Sequence, residues 1–561
     1  MATTTMTTTM TTHTTPPPLQ GPSSKERKYD RQLRLWAATG QEALEDAHIL
    51  LVNSGPGVVG IETLKNLVLP GIGHFTILDE ATVTEADLGV NFFLDDQSLG
   101  QSRAKRCREL LEELNPDVAG NHLVDTLDSF VSRPNFLTPF SLVLVTAPVA
   151  RRHLRAISRA AQSQNTPVFY IHSVGFYSHF SLSLPPAFPI VETHPDPTST
   201  TDLRLLKPWP ELLSLAREKT SKLDALDDHQ HGHVPYLLLL LHYLEQWKES
   251  HEGEPPKNYK EKTDFRQIVR KGARTNNAEG GEENYDEAVA AVLKSLNPPS
   301  LSSNVRTIFE ADECRNLNKD SPNFYLIASA ISKFHSTHAA LPLPGSLPDM
   351  KAQSADYIAL QNVYKAKARS DLAEVTSTVR VTETALGRTV PIDEKEIEAF
   401  CKGAAFVKLV RGKGLQIVDS DNDDGKEGEI KWGNRAKWAY QDLSDPASLL
   451  TVHIAIQAYD LCGGADAALP SLQEKGRSLL AALARENGSS LDDIPAETRS
   501  ALDDVLAELH RAHGSELHNT SSLAGGMLAQ EAIKIITKQY VPVDNTCVFD
   551  GVRSRTAVFR V

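Results

Sequence analysis

Short apolar runs alternate with amphipathic stretches over the first 180 residues. The stretch YDRQLRLWAATGQEALEDA (29–47) spaces its apolar side chains at helical intervals. HILLV (His48–Val52) is a compact apolar run and reads as a strand. Gly55, Gly57 and Gly60 follow, and Ile61, Leu64 and Val68 then fall on one helical face. Gly71 and Gly73 look like helix-stop residues before a second strand, HFTILDE. Further strands are predicted at FSLVLVTA (Phe140–Ala147) and PVFYIHS (Pro167–Ser173), with the helix RRHLRAISRAAQ between them. This βαβ order predicts an α/β fold with a doubly wound, mainly parallel Rossmann-like sheet.

The pattern changes near residue 181. Prolines cluster at Pro185, Pro186, Pro189, Pro195 and Pro197, and the next three hundred or so residues are charge-rich and mainly helical. Loops interrupt them at 276–284, 341–350 and 419–429, and no fixed-period repeat is present. Sheet-like character returns after about residue 514. HNTSSLAGGMLAQEAIKIITKQY offers Ser521 or Ser522 as an N-cap and aligns Leu528, Ala532 and Ile535, and strand-like NTCVFDG and TAVFRV close the chain. The expected organisation is one α/β unit from residues 25–180 and 515–561, with a large helical insertion at 181–514.

Length and charge narrow the function. At 561 residues the chain is too long for one core. A net charge of −14 argues against a general nucleic-acid binder and leaves open a basic protein partner. The Thr- and Pro-rich segment 1–24 lacks the basic and apolar regions of a signal peptide and predicts a disordered tail. The strongest apolar run, VPYLLLLLHYL, meets His242 too soon to span a bilayer and predicts a buried helix, so no membrane association is expected. Cys107, Cys314, Cys401, Cys462 and Cys547 form no C-x-x-C pair, which suits a reducing compartment and supports no metal site.

Several residues are candidates for chemistry. Gly55, Gly57 and Gly60 have the G-x-G-x-x-G spacing of a nucleotide-binding turn, although the same glycines also serve the turn and the strand–helix packing alone. Asp79 or Glu80 stands where a ribose-binding acid belongs, which suits a nucleotide-dependent oxidoreductase, but no nicotinamide-handling or proton-transfer pair follows. Arg31 and Arg34 share a helical face and could reach a phosphate, or simply form an exposed cationic face. The acidic run 419–429 fails as a calcium loop, because Asp424 sits where glycine is needed and Ile430 where a bidentate Glu is needed. Cys401 lies among apolar residues, which leaves Cys462 as the least implausible thiol nucleophile.

KYDRQLRLW (Lys28–Trp36), with LKNLVLPGIG after the glycine turn, resembles the activating enzymes of ubiquitin-like proteins. HPDPTSTTDLRLLKPWPEL, PPKNYKEKTDFRQI, LPLPGSLPDM, ALQNVYKAKARSDLAEV and LAGGMLAQEAIKIITKQYVP narrow the resemblance. Together, over about residues 25–561, they are similar to the regulatory-subunit family of neddylation-activating enzymes, of the amyloid-precursor-protein-binding-protein-1 type. The resemblance implies a ThiF-like adenylation domain whose ATP site has decayed. Where an active half has D-x-D, this chain has Ala81 in the second position. Gly89 and Val90 replace a phosphate-contacting Asn and Arg, Arg103 replaces a Lys, and the magnesium-holding Asp falls near Thr146. The implied protein does not itself adenylate. It pairs obligately with a catalytic subunit that holds ATP, Mg and the thioester cysteine. Arg31 would reach that subunit's ATP in trans, with Arg34 as a possible support. Through the complex it would meet the ubiquitin-like modifier and the conjugating enzyme, in the cytoplasm and nucleus. The insertion would be a catalytic-cysteine half-domain without the cysteine, and Leu341, Pro342, Leu343, Pro344, Leu347 and Met350 would form a partner interface. The matching half of the SUMO-activating enzyme and a stand-alone Rossmann oxidoreductase are the alternatives.

Overall fold

A computed structural model describes residues 23–193, 202–276, 280–417 and 431–561. Most of the Thr-rich tail and the acidic run 419–429 lie outside these residues. Ser23 and Ser24, expected in the tail, instead start a helix: Ser23 accepts from the Glu26 amide at 3.1 Å, and the Glu26 carboxylate accepts from the Ser23 amide at 2.6 Å. This reciprocal capping satisfies two donors that a helix start would otherwise leave unpaired.

Ten strands form among the described residues. They are β1 (His48–Val52), β2 (His74–Leu78), β3 (Ala119–Leu123), β4 (Leu142–Thr146), β5 (Val168–Val174), β6 (Tyr177–Ser183), β7 (Phe188–Val191), β8 (Val407–Val410), β9 (Thr546–Asp550) and β10 (Arg555–Phe559). Eight make one sheet in the order β10-β9-β6-β5-β4-β1-β2-β3. The β3-β2-β1-β4-β5 half is parallel, and β6, β9 and β10 extend it antiparallel. β7 and β8 pair separately. The polar sequence of β6, YSHFSLS, hides a buried strand from a periodicity reading, because its serines and histidine find partners only in the folded state. β3, AGNHL, lies on the sheet edge with little apolar content to announce it.

The expected helix over 29–47 is broken at Ala37, whose φ of 57° and ψ of −177° end one helical segment and start another. The helix expected to start at Ser521 or Ser522 begins at His518 and runs to Thr537, with Leu517 as its N-cap. On one sheet face, Leu51, Phe75 and Leu144 meet Ile61 and Leu64 of the helix Val58–Val68, and Leu528 and Ala532 of the helix His518–Thr537. Each such buried aliphatic side chain stabilises the fold by roughly 1.5–3 kcal/mol. Leu50, Val143 and Val145 point to the opposite face and pack on Leu154 and Ile157 of the helix Arg151–Gln164.

Beyond the sheet, a core around Tyr236–Ser250 confirms the run at Leu237–Leu241 as a buried helix. A second core surrounds Asn323–His338. The 33-residue helix Ser354–Leu386 joins them, with Leu360 and Tyr364 in the first core and Val375 and Val379 in the second. The helices of 436–512 pack against the antiparallel end of the sheet through Tyr177, Val548 and Phe559.

That last contact buries a histidine chain. His172 Nε2 meets Asp460 Oδ2 at 2.7 Å, and His179 Nε2 meets His453 Nδ1 at 3.0 Å. Burial pushes the His179 pKa well below its ordinary value, with His453 and His172 adding to the effect, and pushes His453 down to about 3. Both rings are therefore neutral in the fold, and their stabilisation is present above the unfolded-state pKa of about 6.5 and lost as pH falls toward 3. Each should contribute up to ~1.4 kcal/mol of destabilisation per pH unit in that window. Urea unfolding between pH 7.5 and 5 should show this slope, reduced in His453→Gln; an equal slope in the variant would contradict the assignment.

Candidate functional site

The glycine turn lies between β1 and the helix Val58–Val68. Gly57 is that helix's N-cap with φ 65°, a left-handed conformation that a side chain rarely adopts, and a Cβ there would lie 2.3 Å from Asn53. A Cβ on Gly60 would lie 2.7 Å from Leu51 and 3.0 Å from Thr146, so its bare backbone lets the helix sit down on the sheet. Both demands are architectural and hold without any ligand.

Beside the turn is a cavity of about 450 Å³ lined by Asn53–Pro56, Asp79–Thr82, Thr84, Ala86, Asp87, Val90, Arg103, Ser515 and Glu516. Its charge chemistry is internal. Arg103 is buried and forks onto Asp79, Nε to Oδ2 at 2.7 Å and Nη2 to Oδ1 at 3.2 Å. Its third nitrogen, Nη1, donates to Asp87 Oδ1 at 2.8 Å. Asp79 also accepts from the Asn53 amide at 2.9 Å and from the Ala81 backbone at 2.9 Å. Burial opposes charge on Asp87, but hydrogen bonds from Thr84 and the Arg103 guanidinium outweigh it and hold the Asp87 pKa below the usual carboxylate range. The Arg103 pKa is raised by the two acids in spite of its burial. Of the two expected ribose acids, Asp79 is thus saturated by this chain's own donors, whereas Glu80 lines the cavity exposed and without an ion pair among the described residues.

The helix N-terminus is also filled from within. Glu516 is buried, accepting from the amides of Val58 at 3.1 Å and Val59 at 2.8 Å. Ser521 donates its hydroxyl to the same carboxylate at 2.6 Å, in place of capping the helix His518–Thr537. Burial pushes the Glu516 pKa up to about 7, against the pull of Ser521 and the amides of Val59, Val58 and Gly57. Its backbone is held by a bridge to Gly175.

These residues do not fit an ATP–Mg pair. Asp79 is ion-paired, the amides that would face a phosphate bond a carboxylate, and Ala81 stands in the cavity lining with only a methyl group. Thr146, expected near a lost metal-binding acid, accepts from the Ser54 amide at 2.7 Å and donates to Ser54 O at 3.1 Å, tying β4 to the turn. Val90 lines the cavity, and its carbonyl accepts from His518 at 3.0 Å. Gly89 is exposed and ends the short helix Glu85–Leu88 outside the cavity lining. No group of three or more potential metal ligands occurs among the described residues.

Arg31 and Arg34 are exposed on the first part of the broken helix, and neither lines the cavity. Arg34 pairs with Asp30 at 2.9 Å, whereas Arg31 has no ion pair among the described residues. The segment Leu341–Met350 is irregular, and most of its apolar side chains turn into the chain while Pro348 is exposed. Pro342, Leu343 and Met350 are buried, Leu341 packs on the second helical core, Leu347 packs on the first, and Pro344 is half-buried. The segment straps the two helical cores together, tied by the Leu343 amide to Asp371 at 3.1 Å. Burial raises the pKa of Cys107, Cys401 and Cys547 to about 12 and of Cys314 to about 11, so none is a ready thiolate. Cys462, half-buried, donates to Ser471 O at 3.7 Å.

Neither Glu516 nor Asp87 is marked by the sequence. An acid just before a helix reads as an ordinary N-terminal carboxylate, and nothing local marks the distant amides it meets.

A profile of the ThiF family matches residues 29–561. The chain is 35% identical over 553 residues to the NEDD8-activating enzyme E1 regulatory subunit of Xenopus laevis, covering 96% of this chain and 99% of that one. It is 35% identical to its Danio rerio counterpart over 560 residues (96% and 99%), and 36% identical to that of Drosophila melanogaster over 558 residues (96% and 98%). No helix among the described residues is long and apolar enough to cross a membrane.

Proposed function

This chain belongs to the ThiF family and, within it, to the NEDD8-activating enzyme E1 regulatory subunits, and from that premise we propose that it is the adenylation-inactive half of a heterodimer. Its partner is the catalytic subunit, which carries ATP, Mg and the thioester cysteine. The ubiquitin-like modifier binds the assembled pair, and the conjugating enzyme is met through that complex. One observation carries this reading: at the nucleotide cavity Asp79 and the helix N-terminus are satisfied by the chain's own groups, Arg103 and Glu516.

Arg31 supplies the positive charge in trans. It is exposed, unpaired among the described residues and away from its own cavity, so it is free to serve another chain's phosphates. Residues 25–180 with 515–561 form the inactive adenylation unit, and 181–514 form the helical insertion that braces the dimer and helps shape the modifier platform.

The test is reconstitution. The catalytic subunit should form the modifier thioester with ATP only when this chain is present, and should charge the neddylation modifier over SUMO. Titrated alone, this chain should bind neither ATP nor NAD below millimolar concentrations. Tight binding and turnover by the isolated chain, or charging by the catalytic subunit without it, would overturn the reading.

A further inference from the structure

The amides of Val58 and Val59 point at one place, and that place is taken by a carboxylate from a residue more than 450 positions away in sequence. A helix N-terminus presents unpaired N–H groups and the positive end of the helix dipole, and it binds phosphate when one is available. Here the anion is covalently part of the chain. The Ser521 hydroxyl orients it, the bridge to Gly175 fixes its backbone, and the cavity of about 450 Å³ remains open alongside. A ligand entering that cavity meets an amide cluster whose capacity is already used. Its phosphate would also face a second negative charge at contact distance.

We propose that Glu516 is the residue that excludes phosphate from this pocket, standing in for the nucleotide phosphate so that the pocket keeps its folded geometry without a ligand. The Ala81, Gly89, Val90 and Thr146 positions remove stabilising contacts to a nucleotide, whereas Glu516 is a positive obstacle to it. The inference rests on the reading of this half as adenylation-inactive, and it separates two causes of that inactivity. The helix and its amides remain competent for an anion, and one side chain blocks them.

The experiment uses the full-length chain at pH 8, where the carboxylate is ionised. Thermal unfolding is followed in up to 50 mM inorganic phosphate and in chloride of matched ionic strength. The wild-type chain should differ between the two only by the small generic stabilisation that a kosmotropic anion gives any fold. Glu516→Gly vacates the amides and should gain a phosphate-specific rise of several degrees, with amide shifts in two-dimensional NMR at Gly57, Val58 and Val59. Glu516→Gln keeps the volume but turns an amide nitrogen toward the backbone donors, and should show a smaller rise of the same sign. A Glu516→Gly chain that folds only when phosphate is present supports the proposal; if it does not fold in either salt, Glu516→Gln decides. Folded variants with no phosphate-specific effect would overturn the proposal and leave the proposed function standing. Wild-type stabilisation by ATP, or by phosphate well beyond that generic effect, would instead count against the inactive-half reading itself.

Discussion

Arg31→Ala in the reconstituted heterodimer should slow ATP-dependent adenylation of the modifier at least ~10-fold, with assembly unchanged. Arginines supplied in trans to a phosphoryl or nucleotidyl centre contribute up to about 10³–10⁵ in rate, because a fixed guanidinium neutralises charge that develops on the phosphate oxygens. The local cost to this chain is small. Arg31 is exposed and makes no ion pair among the described residues, so removing it should change stability by no more than ~0.5 kcal/mol. Arg34→Ala is the control. Arg34 is already paired with Asp30, one turn away on the same helix, and its loss should matter less. Pyrophosphate exchange measures the chemistry, and co-elution measures assembly. An unchanged exchange rate would remove the trans role, and loss of assembly would make Arg31 an interface residue.

Arg103→Ala should be the most destabilising of these substitutions, by roughly 3–5 kcal/mol. Two carboxylates, Asp79 at 3% and Asp87 at 7% exposure, share this one guanidinium. Removing it leaves both charges buried without their counter-ion, which costs more than the pair contributed when intact. Arg103→Lys should fall between, since an ammonium cannot fork onto Asp79 while also reaching Asp87. Chemical denaturation of the full chain gives the comparison. A loss under about 1 kcal/mol for Arg103→Ala would show that Asp79 and Asp87 are satisfied by Asn53, Thr84 and the backbone alone. Neither substitution should create ATP binding, because Glu516 still occupies the helix N-terminus.

Legibility varied with how local the cause was. β1, β4 and β5 are continuous apolar runs buried on both faces, so composition alone marks them within a residue or two. β6 was missed because Ser178 and His179 look like surface residues until the His172 carbonyl and His453 accept them as neighbours. The break at Ala37 was invisible for a related reason. Nothing in LWAATG forbids a continuous helix, and the break at Ala37 falls where Gln539 donates to the Trp36 carbonyl.

The candidate site divides along the same line. The sequence by itself determined that a strand–turn–helix of the nucleotide-binding kind occurs at 48–68, since Gly57 and Gly60 are demanded by dihedral and by close packing, both short-range effects. That Ala81, Gly89, Val90, Arg103 and Thr146 depart from a working site is what the family resemblance implies, not what residue type alone shows. Only the tertiary structure decided what those departures do. Arg103 became the counter-ion of Asp79 and Asp87, and Glu516 crossed from the far end of the chain to the amides of Val58 and Val59. Burial makes such pairings strong, and burial is a property of the fold: a carboxylate worth little in water becomes decisive where no water competes for the same N–H groups.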